Sequence, residues 1–151
     1  MTAVEHNMHD GFRKGSLMAV IDIGSTAIRM AVAERGEEGV VRTLDTLQQS
    51  VSLGKDVFSR GCIENATIEK CVDALRSFRR VLDGFHLVDP GSIHAVATSA
   101  VREAANRDAF LDRLYIATRI TVDMLDATEV NRLTYLAVQP LLVKHDALRR
   151  G

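Results

Sequence analysis

Two short apolar runs joined by a Gly-Ser turn lie near the start of the chain, over residues 19–29 (AVIDIGSTAIR). Apolar segments this close together, with turn residues between them, predict a β-hairpin, because Gly and Ser enter tight turns easily. Asp22 ends the first run and Arg29 lies inside the second. The hairpin therefore restricts the fold to one that builds a sheet on these two strands and exposes polar groups at their turn.

The turn of this hairpin carries groups that suit phosphate and a divalent metal. Gly24 lets the backbone approach a ligand closely, and successive amide N–H groups at Gly24 and Ser25 form a concavity for anions. Ser25 and Thr26 add hydroxyls, and Arg29 can bind phosphate with its planar fork. Asp22 can hold Mg²⁺ through water. An ordinary hairpin with a solvated acid accounts for the same residues, so this stretch alone leaves both interpretations open.

The composition is that of one domain with enough apolar residues for a core, since 46% of the 151 residues are hydrophobic. The 19 basic and 20 acidic side chains give a net charge of −1, so no overall field favours nucleic acid or a membrane surface as a partner. The apolar run over residues 17–23 is too short for a membrane span and is interrupted by Asp22. Cys62 and Cys71 are too few for a zinc site, and we expect them to be buried thiols of a protein in a reducing cytoplasm.

The hydrophobic pattern predicts three strands followed by alternating helices and strands. Residues 1–16 lack periodicity and are predicted to be a flexible leader, residues 17–140 to be the folded unit, and residues 141–151 to be a short tail. The predicted strands cover residues 17–23, 27–34, 40–47, 93–97 and 120–125, with a loop over 51–61. The predicted helices cover residues 67–85, 99–105, 107–117 and 127–138, with Asn65 as N-cap of the first and Gly84 at its end. This order predicts an α/β protein with helices packed on a mixed sheet.

Two further junctions between a strand and a helix carry candidate chemistry. Thr98 and Ser99 can cap one helix and leave N–H groups for an anion, with Arg102 one turn later. Glu129 follows Asp126 in the first turn of another helix, where the helix dipole favours a carboxylate. Helix capping alone explains both junctions when each is considered separately.

The position of these junctions in the predicted sheet gives them a shared significance. Open α/β sheets form their ligand crevices where strands end and helices begin. Three polar segments of the chain have this position, at residues 22–26, 97–102 and 125–129. We therefore expect them to converge on one cleft.

Four segments, taken in order, resemble the N-terminal part of the exopolyphosphatase and guanosine pentaphosphate phosphohydrolase (Ppx/GppA) family. They are AVIDIGSTAIRMAV; VSLGKDV followed by GCIENATIEKCVDALRSFRRVL; AVATSAVREAANRDAFLDRL; and ITVDMLDATEVNRLTYLAV. This family belongs to the superfamily of actin, sugar kinases and heat-shock ATPases. The resemblance implies a ribonuclease H-like fold, with a mixed sheet of about five strands, three antiparallel and then βα alternation, flanked by helices.

The resemblance also implies hydrolysis of phosphoanhydride bonds in inorganic polyphosphate or guanosine pentaphosphate, with Mg²⁺ as cofactor and water as nucleophile. Glu129 matches the glutamate that activates this water. Asp22 matches the acid of the first phosphate loop, which is implied to hold the metal. The implied phosphate ligands are Gly24, Ser25, Thr26, Arg29, Ser99 and Arg102.

The chain departs from the family pattern around Glu129. The family's SGxEEA segment reads DATEVN at residues 126–131, so its glycine and its second glutamate are absent. Arg119 stands where a glycine is usual before the next strand. A second phosphate loop of DxGGGS type and a second lobe do not occur in these 151 residues, so we expect this chain to supply half of a complete site.

Other functions stay open on the sequence alone. A diverged domain that holds phosphates or a guanosine alarmone without turnover fits the altered segment. A ribonuclease H-like nuclease of the Holliday-junction resolvase type also opens with an Asp-x-Gly strand, but it needs several carboxylates at the sheet end and a basic surface. Because an incomplete sheet leaves an edge open, the chain is also predicted to form a homodimer through that edge.

Overall fold

A computed structural model describes residues 16–36 and 39–137 of the chain. Its strands are β1 (Ser16–Ile23), β2 (Ala27–Arg35), β3 (Val41–Ser50), β4 (Ile93–Ala97) and β5 (Val122–Met124). They form one five-stranded sheet in the spatial order β3-β2-β1-β4-β5. Neighbours among β1, β2 and β3 pair antiparallel, whereas β4 runs parallel to β1 and β5 parallel to β4. This confirms the predicted α/β architecture, with three antiparallel strands followed by a parallel part.

The first two strands have the alternation that a half-buried hairpin requires. On β2, Ile28, Met30 and Val32 are buried, while Arg29 between them is exposed. Ile21 of β1 is opposite Met30 and is also fully buried. One face of the hairpin therefore forms part of the core, and the other face carries the charged residues near the turn.

Within the described residues the helices are α1 (Leu53–Arg60), α2 (Asn65–Gly84), α3 (Ser99–Glu103), α4 (Arg107–Thr118) and α5, which covers residues 127–137. The buried side chains of α2 recur at the predicted three- and four-residue intervals: Ile68, Cys71, Val72, Leu75, Phe78 and Leu82. They join one core cluster with Phe110 and Leu114 of α4 and with the inner face of the sheet. The core thus lies between the sheet and the α2–α4 pair.

The segment over residues 51–61, predicted to be a loop, contains α1 instead. This helix has eight residues, with Gly54 in its first turn and Phe58 96% exposed, so the sequence offers only a short window in which a helical period can be recognised. Leu53 is fully buried in the core, and the start of the helix is hydrogen-bonded to the hairpin turn. Contacts with distant parts of the chain, rather than local propensity, therefore stabilise α1.

The start of α2 also differs from the prediction. Asn65 is the first helical residue, and the N-cap position belongs to Glu64, whose amide N–H donates to Oδ2 of Asp56 at 3.0 Å. Asp56 is 6% exposed, and its charge adds to the burial that raises the pKa of the Cys71 thiol to about 12. Cys71 therefore stays protonated at neutral pH. Both cysteines are free, and Cys71 is buried as predicted, whereas Cys62 is only half-buried.

One edge of the sheet is formed by β3, and most residues of this strand are exposed. Leu44 is an extra residue opposite the step from Val32 to Ala33, which makes a bulge in the strand. Bulges and charged side chains such as Arg42 restrain the pairing of an edge strand with another chain. Self-association through an open edge stays a prediction.

Two of the predicted regions lie outside the described residues. These are the leader over residues 1–16, apart from Ser16 at the start of β1, and the tail over residues 141–151. None of the helices in the described ranges has the length and apolar content of a membrane span.

Asn106 connects the segment before α2 to the start of α4. Its Oδ1 accepts a hydrogen bond from the Ile63 amide at 2.9 Å, and its Nδ2 donates to the Ile63 carbonyl at 2.8 Å. The neighbouring Ala105 amide donates to the Gly61 carbonyl at 2.8 Å. This side chain therefore holds together two connections that are far apart in the sequence.

Replacing Asn106 with Ala is expected to lower the free energy of unfolding by about 2 kcal/mol, because both backbone groups of the buried Ile63 lose their partner. Urea unfolding followed by circular dichroism measures this change. Asp108→Ala, at an exposed position in the first turn of the same helix, is the control, with an expected loss below about 1 kcal/mol. Equal losses in the two variants would contradict the role assigned to Asn106.

Candidate functional site

Three neighbouring parallel strands end in one row. Their carboxyl ends form an edge of the sheet that is different from the one formed by β3. Ile23, the last residue of β1, is opposite Ala97, the last of β4, and Ala97 is opposite Met124, the last of β5. The polar segments that follow these strands therefore leave the sheet side by side: residues 24–26, 98–102 and 125–129. Open α/β sheets bind their ligands at this edge, which makes it the candidate site.

The turn after β1 is closed by a backbone hydrogen bond and has little room for a side chain at Gly24. The Gly24 amide donates to the Ala27 carbonyl at 3.0 Å. A Cβ at position 24 would lie 3.1 Å from that carbonyl oxygen and 3.8 Å from both Nη1 of Arg29 and Oδ2 of Asp22. The Gly24 amide, predicted to face an anion, is thus used inside the turn, while Ser25 after it is exposed.

Asp22 and Arg29 face each other across the hairpin at the base of this turn. Nη1 of Arg29 lies 3.7 Å from Oδ2 of Asp22, and the two side chains are 52% (Arg29) and 44% (Asp22) exposed. Nε of Arg29 donates to Oε1 of Gln48 at 3.1 Å, so β3 helps to orient the guanidinium group. An ion pair this exposed contributes little to stability. Because both side chains are about half exposed, both groups are accessible to a ligand.

A groove of about 340 Å³ lies along the face of the sheet that carries this ion pair. Val20, Ala31 and Leu47 are among its lining residues, together with Asp22 and Arg29. The groove therefore combines an apolar floor with the charged residues of the hairpin. A second cavity, of about 220 Å³, lies near the starts of β4 and β5 and contains none of the predicted site residues.

Arg102, predicted as a phosphate ligand, is placed where the second and third segments meet. Its Nη1 donates to the Leu125 carbonyl at 2.9 Å, and the Leu125 amide donates to the Ala97 carbonyl at 3.0 Å. Ser99 is the first residue of α3 and is exposed, and the preceding Thr98 makes no side-chain capping bond. Arg102 thus orients the segment that leads to Glu129, and its guanidinium has further N–H donors for an anion.

Glu129 lies in the first turn of α5 and is fixed by two neighbours. Its amide donates to Oδ1 of Asp126 at 2.8 Å, which caps the helix. Its carboxylate accepts two hydrogen bonds from Arg132, at 3.0 and 2.7 Å. The hydrogen bond from Arg132 holds the pKa of Glu129 below its usual range, and the charge of Arg132 acts in the same direction. Glu129 is therefore ionised at neutral pH and can accept a proton.

The start of α1 is a part of the site that was not predicted from the sequence. The Gly54 amide donates to the Ser25 carbonyl at 2.8 Å, and the Val51 amide donates to the Thr26 carbonyl at 3.0 Å. The glycine within VSLGKDV was an available signal, because a residue without a side chain allows the backbone to approach another group closely. Gln48, which binds Arg29, gave no such signal, because its position depends on the register of β3.

Asp22 is the residue of the candidate site that is predicted to hold a metal ion. Across residues 16–36 and 39–137, no group of three or more His, Cys, Asp or Glu side chains is arranged to hold a metal ion. Mg²⁺ bound together with a phosphate substrate commonly takes one or two carboxylates, with waters and phosphate oxygens completing its shell. Asp22 alone fits that mode. The described residues do not supply the carboxylate cluster that a two-metal nuclease requires.

A family model described as the Ppx/GppA phosphatase family matches residues 31–148. The chain belongs to the Ppx/GppA phosphatase family. This confirms the resemblance drawn from the four sequence segments and, with it, the actin-like ATPase superfamily. The matched residues begin within β2, so the hairpin turn over residues 24–26 lies outside the match.

Two curated proteins are similar to most of this chain. A bifunctional 3-dehydroquinate synthase/phosphatase of Fusobacterium nucleatum is 25% identical over 133 residues, which are 85% of this chain and 20% of that protein. Exopolyphosphatase 1 of Mycobacterium leprae is 27% identical over 122 residues, which are 81% of this chain and 35% of that protein. The chain therefore spans between a fifth and about a third of the length of these two relatives.

Solved structures of the Ppx/GppA family share the fold. The crystal structure of the Aquifex aeolicus family member superposes with a TM-score of 0.73 at 30% identity, over 82% of this chain and 40% of that chain. An exopolyphosphatase from Cytophaga hutchinsonii superposes with a TM-score of 0.68 at 28% identity, over 75% of this chain and 35% of that chain. The mixed sheet and its flanking helices thus match the fold of these family members over 40% and 35% of their chains.

Arg132→Gln is expected to raise the pKa of the Glu129 carboxyl, because it removes the charged hydrogen-bond donor that lowers it. With Arg132 present, the Arg132–Glu129 pair stabilises α5 at pH values above the pKa of Glu129 in the unfolded state. This stabilisation is lost as the pH falls through the lower pKa of Glu129 in the folded state. Acid titration of the Glu129 carboxyl carbon by NMR measures the shift. Arg76→Gln, which removes a more distant i,i+3 pair with Asp73, is the control. An unchanged Glu129 midpoint in Arg132→Gln would show that Arg132 does not cause the low pKa.

Proposed function

We propose that this chain supplies the phosphate-binding groups and the water-activating group for hydrolysis of a terminal phosphoanhydride bond in inorganic polyphosphate or guanosine pentaphosphate. The aligned ends of β1, β4 and β5 carry the proposal. They bring an acid–arginine pair, a turn with two hydroxyls, a second arginine and a glutamate to one sheet edge. Phosphoryl transfer to water depends on these kinds of groups, which position the phosphates, stabilise their charge and orient the nucleophile.

The phosphate oxygens are bound by arginine and by the hydroxyl groups. Arg29 uses one N–H donor on Gln48, and Arg102 uses one on the Leu125 carbonyl. The planar fork of each guanidinium has five donors, so both can also bind a phosphate oxygen. Hydrogen bonds between a guanidinium and a phosphate are stronger than neutral ones. Gly24, Ser25, Thr26 and Ser99 complete the proposed set, Gly24 by leaving space rather than by its amide.

Asp22 is the proposed protein ligand for Mg²⁺. A bound Mg²⁺ supplies charge neutralisation on the transferred phosphoryl group. Arg29, whose Nη1 is 3.7 Å from Oδ2 of Asp22, helps to orient the carboxylate beside the turn. Because the described residues include no group of three or more potential metal ligands, we propose that the ion arrives with the phosphate chain rather than as a resident metal.

Glu129 is the proposed acceptor for the proton of the attacking water. The water oxygen bonds to the terminal phosphorus while the bond from that phosphorus to the bridging oxygen breaks. The shortened chain leaves with the bridging oxygen and the electron pair, and the transferred group becomes inorganic phosphate. The low pKa of Glu129 makes it a weak base, so it orients the water early and takes the proton as the bond to phosphorus forms.

The relatives suggest the order in which the two proposed substrates are tested. Exopolyphosphatase 1 of Mycobacterium leprae and the Cytophaga hutchinsonii exopolyphosphatase support polyphosphate. Guanosine pentaphosphate shares the terminal phosphoanhydride and the charge that Arg29 and Arg102 are proposed to recognise. We therefore propose polyphosphate as the first substrate to test and guanosine pentaphosphate as the second.

A second candidate function is binding of phosphates or of a guanosine alarmone without turnover. One observation favours it: both carboxylate oxygens of Glu129 accept hydrogen bonds from Arg132. A glutamate held in this way must give up one of these bonds to accept a proton from water. The groups proposed to bind phosphate do not involve Glu129, so binding can occur while this pair stays formed.

Glu129→Gln is expected to reduce phosphate release from polyphosphate with Mg²⁺ by at least about a hundredfold, because the amide cannot accept the proton of water. Glu69→Gln is the matched control and is expected to leave release unchanged, since Glu69 pairs with Arg113 between α2 and α4. A malachite green assay measures released phosphate with either substrate.

Equal release by the Glu129→Gln variant and the unsubstituted chain would contradict the role of Glu129. No release by either protein, together with polyphosphate binding in calorimetry, would support the second candidate function. Absence of both release and binding would contradict the proposed site altogether.

A further inference from the structure

The segment over residues 51–54, which leads into α1, fixes the backbone of the turn over residues 24–26, here called the phosphate turn. The Gly54 amide donates to the Ser25 carbonyl at 2.8 Å. The Val51 amide donates to the Thr26 carbonyl at 3.0 Å. Two consecutive carbonyl groups of the phosphate turn are therefore bonded to one short segment.

Gly54 approaches the phosphate turn more closely than any other residue type allows. A Cβ at position 54 would lie 2.9 Å from Cβ of Ser25 and 3.4 Å from its carbonyl oxygen. The positive-φ glycines among the described residues are Gly39 and Gly61, so Gly54 is not required for a left-handed backbone. Its lack of a side chain matters because it lets α1 come within hydrogen-bonding distance of the turn.

This contact determines where the next amide points. The described residues contain no cis peptide bond, and in a planar trans peptide the C=O and N–H point in opposite directions. The Ser25 carbonyl and the Thr26 amide belong to the same peptide unit. Because the Ser25 carbonyl points at α1, the Thr26 N–H points away from α1. Thr26 is exposed, and the backbone hydrogen bonds of the described residues include none donated by its amide.

We propose that Gly54 is a positioning residue for phosphate binding, which directs the Thr26 amide toward a phosphate oxygen by holding the Ser25 carbonyl. This inference rests on the proposed function of the site. Any side chain at position 54 pushes α1 away from the phosphate turn, weakens the bond to the Ser25 carbonyl and lets the Thr26 peptide rotate. The phosphate then loses one backbone donor, although the side chains that bind it are unchanged.

The first test compares Gly54→Ala with Gly84→Ala. Both changes place a methyl group on a helix, but a Cβ at position 84 has no heavy atom within 4 Å outside its own turn of helix. Calorimetric titration with tripolyphosphate and Mg²⁺ is expected to show about tenfold weaker binding for Gly54→Ala, equivalent to the loss of one hydrogen bond. Gly84→Ala is expected to bind like the unsubstituted chain. Thermal unfolding establishes that each variant is folded at the titration temperature.

A double-mutant cycle identifies the contact that is responsible. Ser25→Gly removes the Cβ that lies 2.9 Å from the new methyl group, so Gly54→Ala fits beside the turn in that background. Ser25→Gly weakens binding by itself, because the Ser25 hydroxyl is part of the site. Adding Gly54→Ala to Ser25→Gly is expected to weaken tripolyphosphate binding by less than about twofold. The same substitution is expected to weaken binding by about tenfold when Ser25 is present. An equal cost in both backgrounds would overturn the steric mechanism.

The orientation of the Thr26 amide has a spectroscopic test that needs no substitution. In a nitrogen-15 NMR titration with tripolyphosphate, the Thr26 amide is expected to shift strongly, while the Gly54 amide stays protected from hydrogen exchange. A Thr26 resonance that does not move, while Arg29 or Arg102 signals do, would overturn the inference even if Gly54→Ala failed to fold.

The outcomes separate this inference from the function on which it rests. No tripolyphosphate binding by the unsubstituted chain would overturn both the phosphate site and the role of Gly54. Binding by the unsubstituted chain that Gly54→Ala leaves unchanged would overturn the role of Gly54 alone. Weaker binding by Gly54→Ala, with unchanged binding by Gly84→Ala and a shifted Thr26 amide, would support it.

Discussion

The parallel pairing of β1 with β4, continued by β5, is the constraint on which the site depends. Ile23, Ala97 and Met124 end these strands in one row, so the segments after them begin side by side. The same register buries Ala19, Ile21 and Ile23 on the core face of β1. A slip by one residue would turn these apolar side chains to the other face of the sheet. The stabilisation that comes from burying them would then be lost. The hydrophobic core therefore determines the register, and the register in turn brings the polar segments together.

The phosphate turn is constrained from two sides. Inside it, the Gly24 amide donates to the Ala27 carbonyl; outside it, the segment over residues 51–54 binds its next two carbonyl groups. Position 54 requires a glycine, because a Cβ there would lie 2.9 Å from Cβ of Ser25, whereas a Cβ at position 24 would be confined by the Ala27 carbonyl oxygen at 3.1 Å. A turn held in this way keeps its donors in place before a ligand arrives, which reduces the ordering cost of binding. Residues that touch no ligand thus contribute to the geometry of the candidate site.

Whether a feature could be predicted from the sequence depends on how far apart in the sequence the residues that form it lie. The β1–β2 hairpin, α2 and β4 were predicted because alternation and helical periodicity are local properties of consecutive side chains. By contrast, α1 depends on Leu53 in the core and on the hairpin turn, and the α2 cap depends on Asp56, eight residues before Glu64. The grouping of the three polar segments was predictable from strand order, whereas the Gln48 contact with Arg29 was not. Arg119 has a φ of 59°, which explains why a glycine suits that position, but no sequence signal showed that arginine is accommodated there.

The groups proposed to bind phosphate and the glutamate proposed to activate water differ in how firmly the described residues hold them. Arg29 and the phosphate turn are attached to strands and to α1, and Arg102 is bonded to the backbone after β5. Glu129 instead lies on α5, where Leu133, Tyr135 and Leu136 are 39%, 60% and 47% exposed. A misplacement of about 1 Å can slow catalysis about a hundredfold, so the water-orienting group must be held as firmly as the phosphate-binding groups. The groups proposed to bind phosphate therefore depend only on the sheet edge, α1 and α3. Hydrolysis needs, in addition, a contact that holds α5 and an arrangement in which Arg132 yields one carboxylate oxygen of Glu129 to water.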